Sequence, residues 1–280
     1  MGTSERPLFF YPQPILGEAM KTWRLIIDSQ PLPGSRNMAI DEYLLLSLPE
    51  KETVVRFYRW EKPTASLGRG QKVEQVLDLE GCRRLGVDVV RRPTGGKLVL
   101  HHQEVTYSIC SGDTATFTDT LAGSYRLISL GLIEGLKLVG LDAVLAPYTE
   151  AAYSRSVWPC FARPAQNEVV VAGKKIIGSA QRRLGTRFLQ HGSIPLAPQS
   201  DWLRQISRLE DASLPLAMIS VEEALGRAMT FELMVPLLVE GLKRFFQVEF
   251  EISQLTDIEA KKVESLERLR YANPAWTFNP

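Results

Sequence analysis

The stretch RRPTGGKLVLHHQEVTYS, residues 91–108, decides how this chain folds. Residues 87–90 ahead of it read as a strand that delivers the chain into the turn RRPTGG. Residues 98–100 and 105–109 beyond it read as two further strands joined by the polar segment HHQE. Pro93 fixes its own φ and biases Arg92 toward extended geometry, so the approach to the turn is stiff. Gly95 and Gly96 can take backbone conformations closed to other residues and can bring main-chain N–H groups close to a ligand. A Gly-Gly pair by itself is more often a plain bend. Arg91, Arg92 and Lys97 surround this one with cations that a plain bend does not need.

Upstream, residues 23–27 read as a strand, and Asn37 as the cap of a helix whose Met38, Leu44, Leu45 and Leu48 fall near a 3.6-residue period. TVVRFYRW, residues 53–60, is rich in β-branched and aromatic residues and reads as a buried strand. A short helix over residues 76–85 stops at Gly86. Downstream, residues 120–139 carry a wide apolar stripe at helical spacing. Residues 168–171, 174–177 and 188–194 read as three strands, the first two joined by a tight turn at Ala172-Gly173. Past Pro198 the pattern becomes helical, with capping-box spacing at Ser220/Glu223 and Thr256/Glu259 and an apolar run over 230–246. Strands gathered in the middle with helices before and after predict an α+β fold with a mixed or antiparallel central sheet flanked by helices. Residues 1–20, with Pro7, Pro12 and Pro14, read as an N-terminal extension, and 21–280 as a single domain.

The totals narrow the function. Lys+Arg 33 against Asp+Glu 32 leaves a formal charge of +1, so no global field draws the chain to nucleic acid or an anionic membrane. No apolar run approaches the roughly 20 residues that span a bilayer. Three cysteines without CxxC spacing argue against a disulfide scaffold or structural zinc and fit a reducing cytoplasm.

Cys82 sits among helix arginines and Cys110 ends an apolar strand, so both read as inert buried thiols. Cys160, bracketed by Pro159 and Pro164 in an irregular segment, is harder to explain by packing. A nearby ammonium would favour its thiolate, and Lys174 and Lys175, on opposite faces of one strand, are equal candidates by alternation. Gly178, Ser179 and Ala180 are small enough for a substrate to lie against the strand. His191, alone in an apolar strand, reads first as a satisfied core residue. His101 and His102 point to opposite faces, which argues against a shared metal and leaves the metal assignment at none.

Three blocks, RRPTGGKLVLHHQEVTYS, WPCFARP around Cys160 and GKKIIGSAQ at residues 173–181, together resemble the lipoate/octanoate protein-modifying enzymes. Cys160 within PCFARP gives the likeness its LipM-type octanoyltransferase character, and further blocks follow in order from MAIDEYLL at Met38 through HGSI at His191 to RYANPAWTF at Arg270. The resemblance implies a biotin/lipoyl ligase catalytic domain, like that of class II aminoacyl-tRNA synthetases. It implies catalysis by Cys160 and Lys175, the lysine immediately before the isoleucines. It implies a substrate pocket formed by Arg91, Arg92, Thr94, Gly95, Gly96 and His101 on one side and Gly178, Ser179, Ala180, His191 and Gly192 on the other.

The activity so implied is octanoyl transfer from octanoyl-acyl carrier protein, through a Cys160 thioester, to a lysine of a lipoyl domain such as the glycine cleavage H protein or a 2-oxoacid dehydrogenase E2 component, without a cofactor. Arg155, Arg163, Arg182, Arg183 and Arg187 are expected to form a basic rim for the acidic carrier. Three rival readings share parts of the pattern: an ATP-dependent lipoate-protein ligase, an amidotransferase moving octanoyl between lipoyl domains, and a non-catalytic acyl-binding protein. Lys97 stands where the ligase branch usually has a third glycine.

Overall fold

The computed structural model of the chain describes residues 20–147, 167–208 and 216–279. The chain enters through β1 (Thr22–Ile27), α1 (Gly34–Ser47), β2 (Thr53–Tyr58) and β3 (Thr64–Leu67). Two short helices, α2 (Val73–Val76) and α3 (Leu79–Leu85), lead to β4 (Asp88–Arg91), β5 (Val99–His101) and β6 (Glu104–Ser111). The long helix α4 (Leu121–Val139) precedes β7 (Ala143–Leu145), β8 (Val169–Val171), β9 (Lys174–Leu184) and β10 (Arg187–Pro195). Then come α5 (Ser200–Ile206), α6 (Val221–Leu225), α7 (Phe231–Phe246), β11 (Glu249–Ser253), α8 (Asp257–Leu266) and α9 (Pro274–Phe278).

Among the described residues eight strands form one mixed sheet in the order β11-β1-β2-β6-β10-β9-β8-β7. β1 runs parallel to β11 and β2, and every later pair is antiparallel. A small sheet, β4-β3-β5, meets the large one where β5 touches β10. The arrangement is the mixed sheet flanked by helices that the sequence pattern predicts.

Alternation along β2 explains the layering. Val55 and Phe57 face a core shared with Ile128, Leu132 and Leu136 of α4 and Leu238 and Leu242 of α7. Val54 and Tyr58 face the opposite core, with Met38, Leu44 and Leu45 of α1 and Val263 of α8. Arg56 lies between those two on the α1 side, fully buried, so it must be paired; Asp41 and Asp28 do this at 3.0 and 2.5 Å.

Helices α4 and α7 cross at two glycines. A methyl group added at Gly241 would lie 2.1 Å from the Gly135 nitrogen, so the backbones could no longer touch. Gly241→Ala is therefore expected to lower unfolding free energy by about 1–3 kcal/mol. Urea titration with an unchanged slope would measure it, and an unaltered midpoint would contradict the packing.

Several sequence readings hold and a few shift. Thr120 caps α4, Gly86 ends α3 with φ 65°, and both capping boxes form. Ala172 and Gly173 both take positive φ in the two-residue turn between β8 and β9. Asn37, however, is no cap. α1 begins at Gly34 after Pro33, and the buried Asn37 amide instead donates to Leu32 O and Arg59 O. The helix read over 76–85 is two helices separated where Asp78 accepts from Glu80 N–H. β3, β7 and β11 lie in segments not read as strands: TASL and AVL are too short to alternate, and β11 is an edge strand with charged residues among its apolar ones. β9 continues past Ile177 to Leu184 because β10 pairs with it throughout.

Candidate acyl-binding site

The turn after β4 is braced from beneath by Arg92. Its Nη2 donates to Gly95 O at 2.8 Å and Lys97 O at 2.7 Å, while Nη1 donates to Ser66 O at 2.9 Å. With Gly95 O held inward, the N–H groups of Gly95 and Gly96 donate to no described residue. Gly96 takes φ 90°, which favours glycine, and no described residue stands within 4 Å of a methyl group added at Gly95. Arg91 does not serve the turn as a free cation. Its guanidinium is fully buried and donates to the carbonyls of Gly68, Arg69 and Gln71 on one side and Thr277 on the other. Arg91, expected to line the pocket, is not among the described residues around the cavity below and instead holds the neighbouring 68–71 turn.

Under the turn lies a narrow cavity. Met38, Tyr58, Ser66, Arg92, Val99 and His101 form part of its wall; Thr106, Gly178, Ser179, Ala180, His191, Gly192 and Ser193 complete it. Much of that wall is polar by residue type, yet its polar atoms are already paired. His101 binds Glu104 through Nδ1 at 2.7 Å and Ser66 through Nε2 at 2.8 Å. Ser193 and Thr106 both donate to Glu104, and Tyr58 OH donates to Asp41 at 2.8 Å. Ser179 shares a hydrogen bond of 2.7 Å with Tyr107. A ligand in this cavity therefore meets mainly ring faces, methyls and methylenes. Gly192 must be glycine, since a methyl there would lie 2.7 Å from Gly178 O and from the Tyr107 ring.

A buried relay supports the turn. His191 Nδ1 lies 2.8 Å from Asp41 Oδ2 and its Nε2 lies 2.7 Å from Thr94 Oγ1. Burial pushes the His191 imidazole below its ordinary range and outweighs the hydrogen bond and charge of Asp41; Arg92 and His101 add in the same downward sense. Burial alone would raise the Asp41 carboxyl, but the His191 hydrogen bond and the Arg56 charge hold it below its usual value. The ring is then neutral: Nδ1–H donates to Asp41, and Nε2 accepts from Thr94.

Because the folded pKa of His191 lies below the unfolded value of 6.5, the unfolded chain takes up a proton that the folded chain refuses. Stability is complete above that value and falls as pH drops through it. A melting series from about pH 7.5 to 5.5 should show this decline in the wild type and a shallower one in His191→Gln. Parallel curves would remove His191 as the cause.

Lys174 is exposed, whereas Lys175 is fully buried with Nζ 2.5 Å from Glu168 Oε1. Lys175 is not among the described residues lining the cavity; it occupies the buried start of β9, ahead of the small residues that line it. Cys160, Arg155 and Arg163 lie outside the described residues. Cys82 and Cys110 are buried, and burial pushes the Cys82 thiol up to about 11 and Cys110 up as well. His101 and His102 do diverge, the first stacking on Trp60 and the second on Trp202.

Of the expected basic rim, Arg183 instead donates to Thr118 O, Thr120 O and Ser124 Oγ, and Arg187 donates to Leu46 O. Arg182 alone of the described three borders an open groove beside Gly95. Asp41, Tyr58 and Ser66 escaped the sequence reading. A signal existed for Asp41: an acid within MAIDEYLL and an arginine within TVVRFYRW, both on otherwise buried elements, must find each other or another partner.

Residues 33–243 match the family described as the lipoyl protein ligase A/B catalytic domain. The octanoyltransferase LipM of Geobacillus kaustophilus is 37% identical over 276 residues, spanning 93% of this chain and 99% of that protein. The octanoyltransferase LipM of Clostridioides difficile is 35% identical over 259 residues, spanning 88% and 95%. In three dimensions a lipoate-protein ligase A bound with ATP is similar with a TM-score of 0.78 at 19% identity, over 92% of this chain and 98% of that one. A chain of the bi-partite lipoate protein ligase and E2 lipoyl domain system of Thermoplasma acidophilum gives 0.77 at 21% identity, over 92% and 96%. These two likenesses carry the fold.

Proposed function

The chain belongs to the lipoyl protein ligase A/B catalytic-domain family, and on that premise we propose that residues 21–280 form one catalytic unit moving an octanoyl group from octanoyl-acyl carrier protein, through Cys160, to a lysine of a lipoyl domain. The observation that carries this reading is the cavity under the glycine turn, whose polar wall side chains are already hydrogen-bonded to one another or to buried neighbours behind the wall. Burying an eight-carbon chain at about 0.8 kcal/mol per methylene contributes roughly 5 kcal/mol, enough to favour medium chains over acetyl.

In the first step the Cys160 thiolate attacks the donor thioester, and the tetrahedral oxyanion meets the N–H groups of Gly95 and Gly96. Each such donor typically contributes about 3 kcal/mol. Collapse expels the donor thiolate and leaves an octanoyl thioester on Cys160. In the second step the neutral amine of the acceptor lysine attacks that thioester, loses its proton to the departing sulfur, and becomes an amide. Lys175, held by Glu168, adds a second buried positive charge to that of Arg92 and is assigned to assist at the oxyanion. Arg92, Thr94, His101, Gly178, Ser179, Ala180, His191 and Gly192 shape the acyl pocket and its roof. A lipoyl domain is the acceptor class, as in the E2 lipoyl domain partner of the archaeal neighbour. The setting is cytoplasmic, where thiols stay reduced; among the described residues no helix is long and apolar enough to cross a membrane.

Mixing the protein with octanoyl-acyl carrier protein and no ATP, then recording its intact mass, tests the reading. One octanoyl adduct is expected, and adding a lipoyl domain should discharge it. An adduct formed only from an octanoylated lipoyl domain would assign an amidotransferase. No adduct, with transfer appearing only from octanoate plus ATP, would assign a ligase and overturn the proposal.

A further inference from the structure

A second turn, residues 68–71, is fastened to the glycine turn. Arg69 N–H donates to Thr94 O at 2.8 Å, and a methyl group at Gly68 would lie 2.0 Å from Gly96 O. Buried Arg91 builds this second turn, its Nη1 lying 2.9, 3.2 and 2.7 Å from the carbonyls of Gly68, Arg69 and Gln71. The Gln71 side chain closes the loop by accepting from Gly68 N–H at 2.9 Å. A fully buried cation is thus committed to shaping a short surface turn, and what that turn presents is Arg69 and Lys72.

Both side chains are exposed, and neither joins an ion pair with a described residue. With Arg182 they border an open groove whose described lining also includes Pro93, Gly95 and Gln181 and contains no carboxylate. Arg182 is balanced by Glu42 at 2.9 Å, but Glu42 also receives Arg270 at 2.5 Å, so the groove keeps an excess of positive charge. β9 joins the two spaces. Gly178, Ser179 and Ala180 line the cavity, and the next two residues, Gln181 and Arg182, line the groove. An extended ligand leaving the cavity past Gly95 therefore enters a cationic channel, at whose threshold stand main-chain donors that bond to no described residue.

We propose that this groove binds the phosphate of a 4′-phosphopantetheine arm, with Arg69 and Lys72 meeting the phosphate while the acyl chain on the arm's thiol occupies the cavity. The proposal rests on the octanoyl-transfer reading and names how its donor is recognised. A guanidinium and an ammonium suit a phosphate oxygen cluster, and the charge-assisted contacts discriminate against the same arm ending in a hydroxyl.

Calorimetry with 4′-phosphopantetheine and with pantetheine reads the groove directly, and octanoyl thioesters of the two compounds read it as donors. The wild type is expected to bind the phosphorylated arm about tenfold more tightly and to show a similar preference in kcat/KM. The preference should shrink as ionic strength rises. In the Arg69→Ala/Lys72→Ala double variant, both exposed sites, it should disappear with no change in melting temperature. Equal binding of the two arms by the wild type, or a preference surviving in the double variant, overturns the proposal. So does a variant that keeps the donor preference but raises only the KM for the lipoyl domain, which would assign the groove to the acceptor. Should octanoyl transfer itself be wrong, neither thioester acts as a donor, while binding of the acyl-free arms still reports on the groove.

Discussion

Cys160→Ala is expected to lower octanoyl transfer by about 10⁴-fold or more while leaving the cavity able to bind an octanoyl thioester. In the proposed scheme both half-reactions pass through the same sulfur, so losing it would remove the acyl-enzyme and not merely a contact. Cys160→Ser makes the sharper test. A serine hydroxyl is a far weaker nucleophile than a thiolate, so an oxyester would form slowly and, once formed, discharge slowly to the lipoyl lysine. The controls are internal. Cys82 and Cys110 are buried thiols held protonated by their surroundings, so Cys82→Ala and Cys110→Ala should still become octanoylated. Intact mass after rapid quenching, beside steady-state rates and melting curves, separates lost chemistry from lost folding. An alanine variant that transfers octanoyl at the wild-type rate would mean that the acceptor lysine attacks the donor directly, and the covalent scheme would fall.

The parts of this site that the sequence made legible share one property: their chemistry depends on the local backbone. A glycine pair after a strand, a two-residue Ala172-Gly173 turn and small residues along β9 all announce where the main chain bends or is approached, and the structure assembles Gly95, Gly178, Ser179 and Ala180 around one cavity and its mouth. What could not be read was the direction of long side chains. Arg91 and Arg92 are neighbours in sequence with the same charge, yet strand alternation sends one to the carbonyls of residues 68–71 and the other beneath Gly95. The supposed rim divides the same way, because Arg183 and Arg187 find carbonyls at the ends of α4 and α1 that lie far away in sequence. The Asp41–His191–Thr94 relay joins residues 150 and 97 positions apart, a separation at which periodicity carries no information. β11 was missed for a related reason, since it is ordered by β1, far away in sequence.

Lys175→Met is expected to cost stability and activity together, and a second substitution separates the two. The ammonium lies 2.5 Å from Glu168 Oε1 with both side chains buried, and the Lys175 backbone is tied on both sides, donating to Ala217 O and accepting from Ile219 N–H. Methionine fills nearly the same volume but deprives a buried carboxylate of its ammonium, which typically costs about 3–5 kcal/mol. Transfer should fall by about 10²–10³-fold, the range associated with losing one electrostatic contact to a developing oxyanion. In Lys175→Met/Glu168→Gln the carboxylate is neutral as well, so much of the lost stability should return, as it does when a buried ion pair is replaced as a unit. Activity should not return, because the positive charge is still missing. Denaturant midpoints and single-turnover octanoylation of Cys160 give the two readouts. If the double variant recovers acylation in step with its stability, Lys175 serves only to hold β9 in place, and the charge stabilising the oxyanion must come from elsewhere in the site.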